Sequence, residues 1–251
     1  MTDQTGQAAP VAVPLAPAPA STGPARAIAV LGMHRSGTSA LTGSLAEAGV
    51  YLGQVLGHSI PQNRKGLQEP ASVLFMQENL LQANGGSWDN PPRTLEWGRM
   101  HTAVRDLFLE SREKFEPWAF KDPRTLMTLE GWLEVKPDLD LAGIFRDPLA
   151  VAHSLQRRNG FSLMKGLYLW HAYNERLLHW ASTRACPLVE FSTRPGEMAM
   201  RIDALIRALG LTPSQAPEFF DAALPQGTDD TQTLPAEIAA LYAQLQERAL
   251  G

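Results

Sequence analysis

Residues 32–39 read Gly-Met-His-Arg-Ser-Gly-Thr-Ser, and their types and spacing suit one task, holding a phosphate. An apolar run (Ala27–Leu31) leads into the segment, and an apolar-periodic stretch with Leu41 and Leu45 on one face leaves it. Strand, glycine-containing loop and helix form a cradle in which loop amides and the positive helix end converge on one anion. The spacing approaches G-x-x-x-x-G-K-[ST], but Thr38 stands in the lysine position and Ser39 completes the pair. A nucleotide triphosphatase needs that lysine at the β- and γ-phosphates. Here the nearest cation in the loop is Arg35, so the loop is suited to a phosphate held in another manner than ATP or GTP. A bare strand-to-helix turn has little use for His34 and Arg35 at its mouth.

Three further constellations carry chemistry. In Ile144-Phe145-Arg146-Asp147-Pro148 an apolar strand ends, Asp147 offers an N-cap and Pro148 takes the first helical position. Ser154 lies eight residues after Arg146. A strand-end guanidinium and a helix hydroxyl can share one phosphate at the edge of a sheet. The second constellation is Lys121-Asp122-Pro123-Arg124, again at a strand end; its charges are costly to bury without partners, and Asp122 can pair with Lys121, Arg124 or Arg35. The third is Asn63-Arg64-Lys65-Gly66-Leu67-Gln68-Glu69-Pro70, where Glu69 serves either the helix macrodipole or a pocket as general base.

These residues need a scaffold with strand ends on one edge. Short continuous apolar runs at Ala27–Leu31, Trp118–Phe120, Leu139–Phe145 and Leu188–Phe191 read as strands buried on both faces. Helical patterns fall at Ser36–Ala48, Ser72–Ala83, Trp97–Phe115, Arg124–Val135, Pro148–Arg158, Leu163–Thr183 and Pro195–Leu209, the last capped by Gly210, with a short terminal helix at Pro235–Leu250. The alternation predicts an α/β fold of three layers, a central parallel sheet flanked by helices. Gly-, Asn- and Pro-rich segments at 49–70 and 85–92 sit where a pocket rim belongs.

The 251 residues suffice for one medium domain over 25–212 with a helical extension over 213–251. The Ala/Pro-rich stretch 1–24 reads as a disordered arm. It lacks the basic start of a secretory signal, and no run approaches the ~18 apolar residues of a spanning helix. A net charge of −4 speaks against a nucleic-acid partner. The single Cys186 excludes an internal disulfide and fits a reducing compartment. A cytoplasmic protein follows, with peripheral membrane association open. His153, His171 and His179 lie within helical patterns and read as packed or solvated, and no Cys/His cluster has zinc spacing.

Gly-Met-His-Arg-Ser-Gly-Thr-Ser-Ala-Leu resembles the 5′-phosphosulfate loop of sulfotransferases that use 3′-phosphoadenosine 5′-phosphosulfate (PAPS), in the Arg-Ser-Gly form of the carbohydrate sulfotransferases. Ile144–Ser154 resembles that family's 3′-phosphate motif, with Arg146 and Ser154 at its spacing. Lys121–Arg124 and 63–70 are similar to bacterial members, and 189–211 is similar to the segment closing the nucleotide site, although Ser192 replaces the usual acidic residue after the aromatic. The resemblance covers roughly residues 26–212 and implies a P-loop-like fold and sulfuryl transfer from PAPS, with adenosine 3′,5′-bisphosphate as product and no metal. The acceptor hydroxyl would belong to a small molecule or glycan, foremost a carbohydrate or glycolipid. It assigns His34, Arg35, Ser36, Gly37, Thr38, Ser39, Arg146 and Ser154 to the donor, with Arg35 steadying the bridging oxygen. Glu69 is the first candidate base, with Asp122 and His58 next. One aromatic is expected on the adenine, without a choice among them. An atypical P-loop kinase using Asp122 at Mg²⁺ and a non-catalytic nucleotide-binding protein are the competing readings.

Overall fold

The computed structural model describes residues 25–56, 66–215 and 233–251. The arm expected at 1–24, the candidate His58 and residues Asn63, Arg64 and Lys65 lie outside the described residues.

The described chain runs β1 (Ala27–Leu31), α1 (Thr38–Glu47), α2 (Ala71–Ala83), α3 (Arg99–Glu110), β2 (Trp118–Lys121), α4 (Thr125–Val135), β3 (Asp140–Phe145), α5 (Pro148–Asn159), α6 (Leu163–Thr183), β4 (Leu188–Glu190), α7 (Pro195–Ala208) and α8 (Ala236–Arg248). The strands pair in parallel in the order β2-β1-β3-β4. All five residues of β1 are buried, as expected of a strand covered on both faces. Its side chains alternate between two cores. Ala27, Ala29 and Leu31 face a core with Trp118, Phe120, Trp132, Leu155 and Trp170. Ile28 and Val30 face a second with Leu41, Leu45, Ile144, Met198 and Ile202 from α1, β3 and α7. The expected three layers and parallel sheet are present. Ile238, Leu241 and Leu245 of α8 join the first core.

The element boundaries explain themselves locally. Helix α1 starts after Gly37, whose φ of +92° suits glycine and whose added Cβ would stand 2.4 Å from Phe191. At α5, Asp147 accepts from the Ala150 amide at 2.7 Å with Pro148 in the first turn, the expected cap. The Gly210 amide donates to the Arg207 carbonyl at 2.8 Å beyond α7, as expected. Helix α3 is shorter than its apolar pattern, because Gly98 holds extended backbone before it and the Ser111 hydroxyl takes the Phe108 carbonyl after it.

Gly32 sits where β1 leaves the sheet, and a Cβ there would lie 2.4 Å from the Ile144 carbonyl oxygen and 2.7 Å from Thr38 Cγ2. Neither backbone can retreat without parting β1 from β3. Gly32→Ala is therefore expected to cost about 2–3 kcal/mol, read as a lower urea midpoint at unchanged slope. Parental stability would show that the loop has room to move.

Candidate functional site

The sheet order fixes where a site can form. The chain passes from β1 outward to β2, then returns to β3 on the other side of β1. A crevice opens at such a switch point, between the carboxyl ends of β1 and β3. The loop after β1 and the segment after β3 meet there. Arg35 Nε donates to Ser154 Oγ at 2.9 Å, and Arg146 Nη1 donates to the Arg35 carbonyl at 3.4 Å. The two separated motifs, at 32–39 and 146–154, therefore form one site.

Arg35 holds φ +71°, a conformation unusual for a residue with a side chain. The strain lies in the middle of the loop, where such backbones accompany ligand binding. Its guanidinium is pulled down to about 10 by burial, then by Arg158, Arg146 and Arg157. Burial also lowers Arg146, with Arg157 adding to it and Asp147 opposing. Arg146 lies over the Phe191 ring at 4.8 Å, and its carbonyl accepts from Trp170 Nε1 at 2.8 Å. The geometry concentrates positive charge at a loop mouth, a state that a bound anion relieves. Ser36 is fully buried, and its hydroxyl has no hydrogen-bond partner among the described residues. An orphan of this kind in a phosphate loop fits an anion oxygen.

Beside Arg146 opens a pocket of about 330 Å³, lined by Asp147, Glu190, Phe191, Ser192, Arg194 and Arg201, among others. Ser192, where the resembled family carries an acid, donates to Glu197 Oε2 at 2.8 Å.

The second group of candidates surrounds Ser39. The register pairs Val30 with Lys121, which sends the Lys121 side chain toward the loop from the neighbouring strand. Lys121 Nζ lies 3.3 Å from Ser39 Oγ and 2.8 Å from Glu69 Oε1, and also donates to the Leu67 carbonyl. The pair is sealed, with 2% of the Lys121 side chain and 6% of the Glu69 side chain exposed. Lys121, not Arg35 alone, supplies a cation to the loop. The sequence reading missed this function, since only the β1–β2 register reveals it. Glu69 turns its carboxylate to Lys121 rather than to the α2 amides, and Oε2 has no hydrogen bond among the described residues. Burial, aided by Asp122, raises the Glu69 carboxyl above the ordinary range despite the opposing Lys121 and Arg124.

Asp122 is fully buried and committed elsewhere. Of its three candidate partners the structure brings it Arg124: Asp122 Oδ1 accepts from the Arg124 amide at 2.8 Å and from Nη1 at 3.1 Å, and Oδ2 from Nη1 at 3.4 Å. Arg124 Nε also reaches Glu78 at 2.7 Å. His34 faces Trp88 (centroids 4.6 Å) and Tyr173 (6.1 Å), and its Nε2 is sealed without a partner among the described residues. Burial, then the fields of Arg124, Arg158, Lys121 and Arg35, push the imidazole well below the usual histidine value. Cys186, buried and pushed up to about 12, stands apart from this chemistry.

No protein-family model matches the chain. No curated protein sequence matches it either. Among solved structures, the sulfotransferase domain of a Synechococcus olefin synthase aligns over 91% of this chain and 96% of its own, at 18% identity and a TM-score of 0.53. Sulfotransferase STF1 from Mycobacterium tuberculosis aligns over 88% and 71%, at 14% identity and a TM-score of 0.42. The first likeness shows that this α/β fold is the P-loop-like fold of a sulfotransferase. Among the described residues no helix is long and apolar enough to cross a membrane.

The strained, desolvated Arg35 should serve binding at no gain to the fold. Arg35→Gly is expected to melt no lower than the parent, because glycine removes the φ strain of about 1 kcal/mol and one of the converging charges. The same variant should bind inorganic pyrophosphate, a probe of the loop as an anion site, more weakly by calorimetry. A large loss of melting temperature with intact binding would reverse this assignment.

Proposed function

We propose that the chain is a sulfotransferase that moves a sulfuryl group from PAPS to an acceptor hydroxyl, foremost on a carbohydrate or glycolipid. The observation that carries the reading is the convergence of Arg35, Arg146 and Ser154 from two motifs on one crevice, beside a loop whose buried Ser36 hydroxyl has no partner among the described residues. Those groups suit a ligand with two separated anionic ends, which PAPS has and ATP lacks. Ser36, Gly37, Thr38 and Ser39 would hold the 5′-phosphate through amides and hydroxyls, with His34 at the mouth. Arg146 and Ser154 would hold the 3′-phosphate. The pocket beside Arg146 is large enough for the nucleoside, and Phe191 is the aromatic best placed for the adenine.

PAPS supplies an activated sulfuryl group when bound. The protein's share of the transfer is positioning and charge stabilisation. Arg35 and Lys121 would neutralise charge on the bridging oxygen as its bond to sulfur breaks. Glu69 would take the proton of the acceptor hydroxyl as the new oxygen–sulfur bond forms, with Oε1 fixed by Lys121 and Oε2 left for the proton. Asp122 then acts through Arg124, as a positioning residue rather than a base. Its commitment to Arg124 also weighs against a kinase that uses Asp122 at Mg²⁺, as does Thr38 in the lysine position. A non-catalytic reading gains nothing from a sealed Lys–Glu pair, since burying both charges costs more than an apolar pair of the same size.

Arg146→Ala should weaken adenosine 3′,5′-bisphosphate binding about ten- to a hundredfold, the worth of one charge-assisted contact; unchanged affinity removes Arg146 from the donor site. Glu69 must be deprotonated to accept a proton. Transfer of labelled sulfate from PAPS into a metabolite and glycan extract should therefore rise with pH along a limb displaced above the ordinary glutamate range. Glu69→Gln should lose that limb and about 10²–10⁴ in rate while keeping bisphosphate binding. An unaltered pH profile in Glu69→Gln would assign the base elsewhere.

A further inference from the structure

The loop after β1 holds a conformation that its own residues do not favour. The Ser36 amide donates to the Met33 carbonyl at 3.2 Å, which closes a four-residue turn with His34 and Arg35 at its centre. Arg35 has φ +71°, and His34 does not share the positive value. The turn is therefore type II, with arginine in the place that glycine or asparagine normally takes. A type I turn joins the same ends with negative φ at both central residues. The two forms differ by reversal of the His34–Arg35 peptide, and the Arg35 side chain leaves in a different direction from each. Met33 and Ser36 are fully buried, so the ends are fixed and the turn relaxes only through its middle.

The groups that oppose this relaxation come from two other parts of the chain. Trp88 lies against the His34 ring at 4.6 Å, and Tyr173 of α6 presents its edge at 6.1 Å. The two are joined to each other, since the Tyr173 hydroxyl donates to the Trp88 carbonyl at 2.8 Å. The segment that carries Trp88 is itself braced. The Asn84 side chain takes the Glu96 amide at 2.8 Å and gives to the Glu96 carbonyl at 3.0 Å, and Ser87 and Asn90 exchange backbone hydrogen bonds at 3.0 and 3.2 Å. Phe161 backs Trp88 at 5.9 Å. His34 Nε2 has no hydrogen-bond partner among the described residues, so at that end of the ring it is packing that fixes the imidazole.

We infer that Trp88 and Tyr173 are positioning residues for Arg35: through the His34 imidazole they hold the Met33–Ser36 turn in its type II form, the form in which Arg35 meets Ser154. The inference rests on the reading of this loop as the donor site and adds the braced segment at 84–96 to it. A chain without the clamp divides its population between the two turns, and its affinity for a donor-site ligand falls by the fraction left in the competent form.

The test is calorimetric titration of adenosine 3′,5′-bisphosphate, which brings no acceptor with it. Trp88→Ala should weaken binding about tenfold, whereas Trp88→Phe, which keeps a ring against His34, should stay within about twofold of the parent. Tyr173→Phe, which loses only the hydroxyl that tethers Trp88, should weaken binding in the same direction and by less. The deciding measurement repeats each change in Arg35→Gly. Glycine holds the type II turn without a clamp and carries no guanidinium to aim, so Trp88→Ala and Tyr173→Phe should cost no further affinity there. Parental affinity in Trp88→Ala overturns the inference. An equal loss in both backgrounds overturns it too, because a residue that acts on the fold or touches the ligand does not depend on Arg35. If Trp88→Ala fails to fold, Tyr173→Phe decides by the same cycle. A parent that binds no bisphosphate overturns the donor-site reading itself, and this inference falls with it.

Discussion

Positive charge gathered at one desolvated loop mouth is the constraint around which this molecule is arranged. Several cations of the described residues are paired with a carboxylate. Arg124 has Asp122 and Glu78, Lys121 has Glu69, Arg26 has Asp140, and Arg201 has Glu190 and Glu197. At the mouth, Arg146 instead spends its contacts on a backbone carbonyl and an aromatic face, and Arg35 Nε is held by a hydroxyl. Such groups lower the stability of the empty protein through like-charge repulsion and lost hydration. The surrounding elements oppose that tendency. Trp170 pins the Arg146 carbonyl, Asp147 and Pro148 set the start of α5, and the turn at Gly160 brings α6 back beneath it.

The scaffold was legible in the sequence for a simple reason. A parallel strand covered on both faces must be apolar at every position, so Ala27–Leu31 and Leu139–Phe145 announce themselves and agree with β1 and β3 to within a residue. Helix ends were legible where a cap residue has one use, as with Asp147 and Gly210. The loop and the Arg146–Ser154 pair could be read because each motif is local. What joins them could not. That Arg35 reaches Ser154 depends on the path of α5 across the mouth, and that Lys121 reaches Ser39 depends on a register between strands nearly ninety residues apart in the chain. Long-range pairing leaves no local signature. Trp88 illustrates the same gap from the other side. The sequence makes no choice among its aromatics, and the structure sets Trp88 against His34 while Trp118, Trp132 and Trp170 fill the core.

The end of β2 shows how two neighbouring charges take different work. Successive side chains of an extended segment point to opposite sides. Lys121 therefore turns toward the loop and Glu69, and Asp122 turns toward Arg124 at the start of α4. The sequence Lys-Asp-Pro-Arg offers three pairings for Asp122, and the adjacent amide decides among them. Oδ1 takes the Arg124 N–H and the guanidinium of the same residue together, a closure that Arg35 cannot match from across the sheet. Glu69, arriving from another loop, is left as the carboxylate for Lys121.

This division bears on the missing loop lysine. A lysine inside a phosphate loop extends along the phosphate chain and rewards a third phosphate. A lysine delivered from the next strand is tethered at its base by the sheet and at its tip by Ser39, the Leu67 carbonyl and Glu69. It cannot follow a lengthening ligand, so its field stays at the helix end of the loop, beside the carboxylate. Lys121 and Glu69 are then held 2.8 Å apart at one end of the site, with Arg146 at the other. On the proposed reading, a donor with a single reactive bond next to its 5′-phosphate and a second anion at the far end meets both demands. A triphosphate places its charge beyond the reach of Lys121 and leaves Arg146 unserved. Thr38 in the lysine position is in that sense a relocation of the cation to Lys121, and on the proposed reading that relocation is what would discriminate between donors.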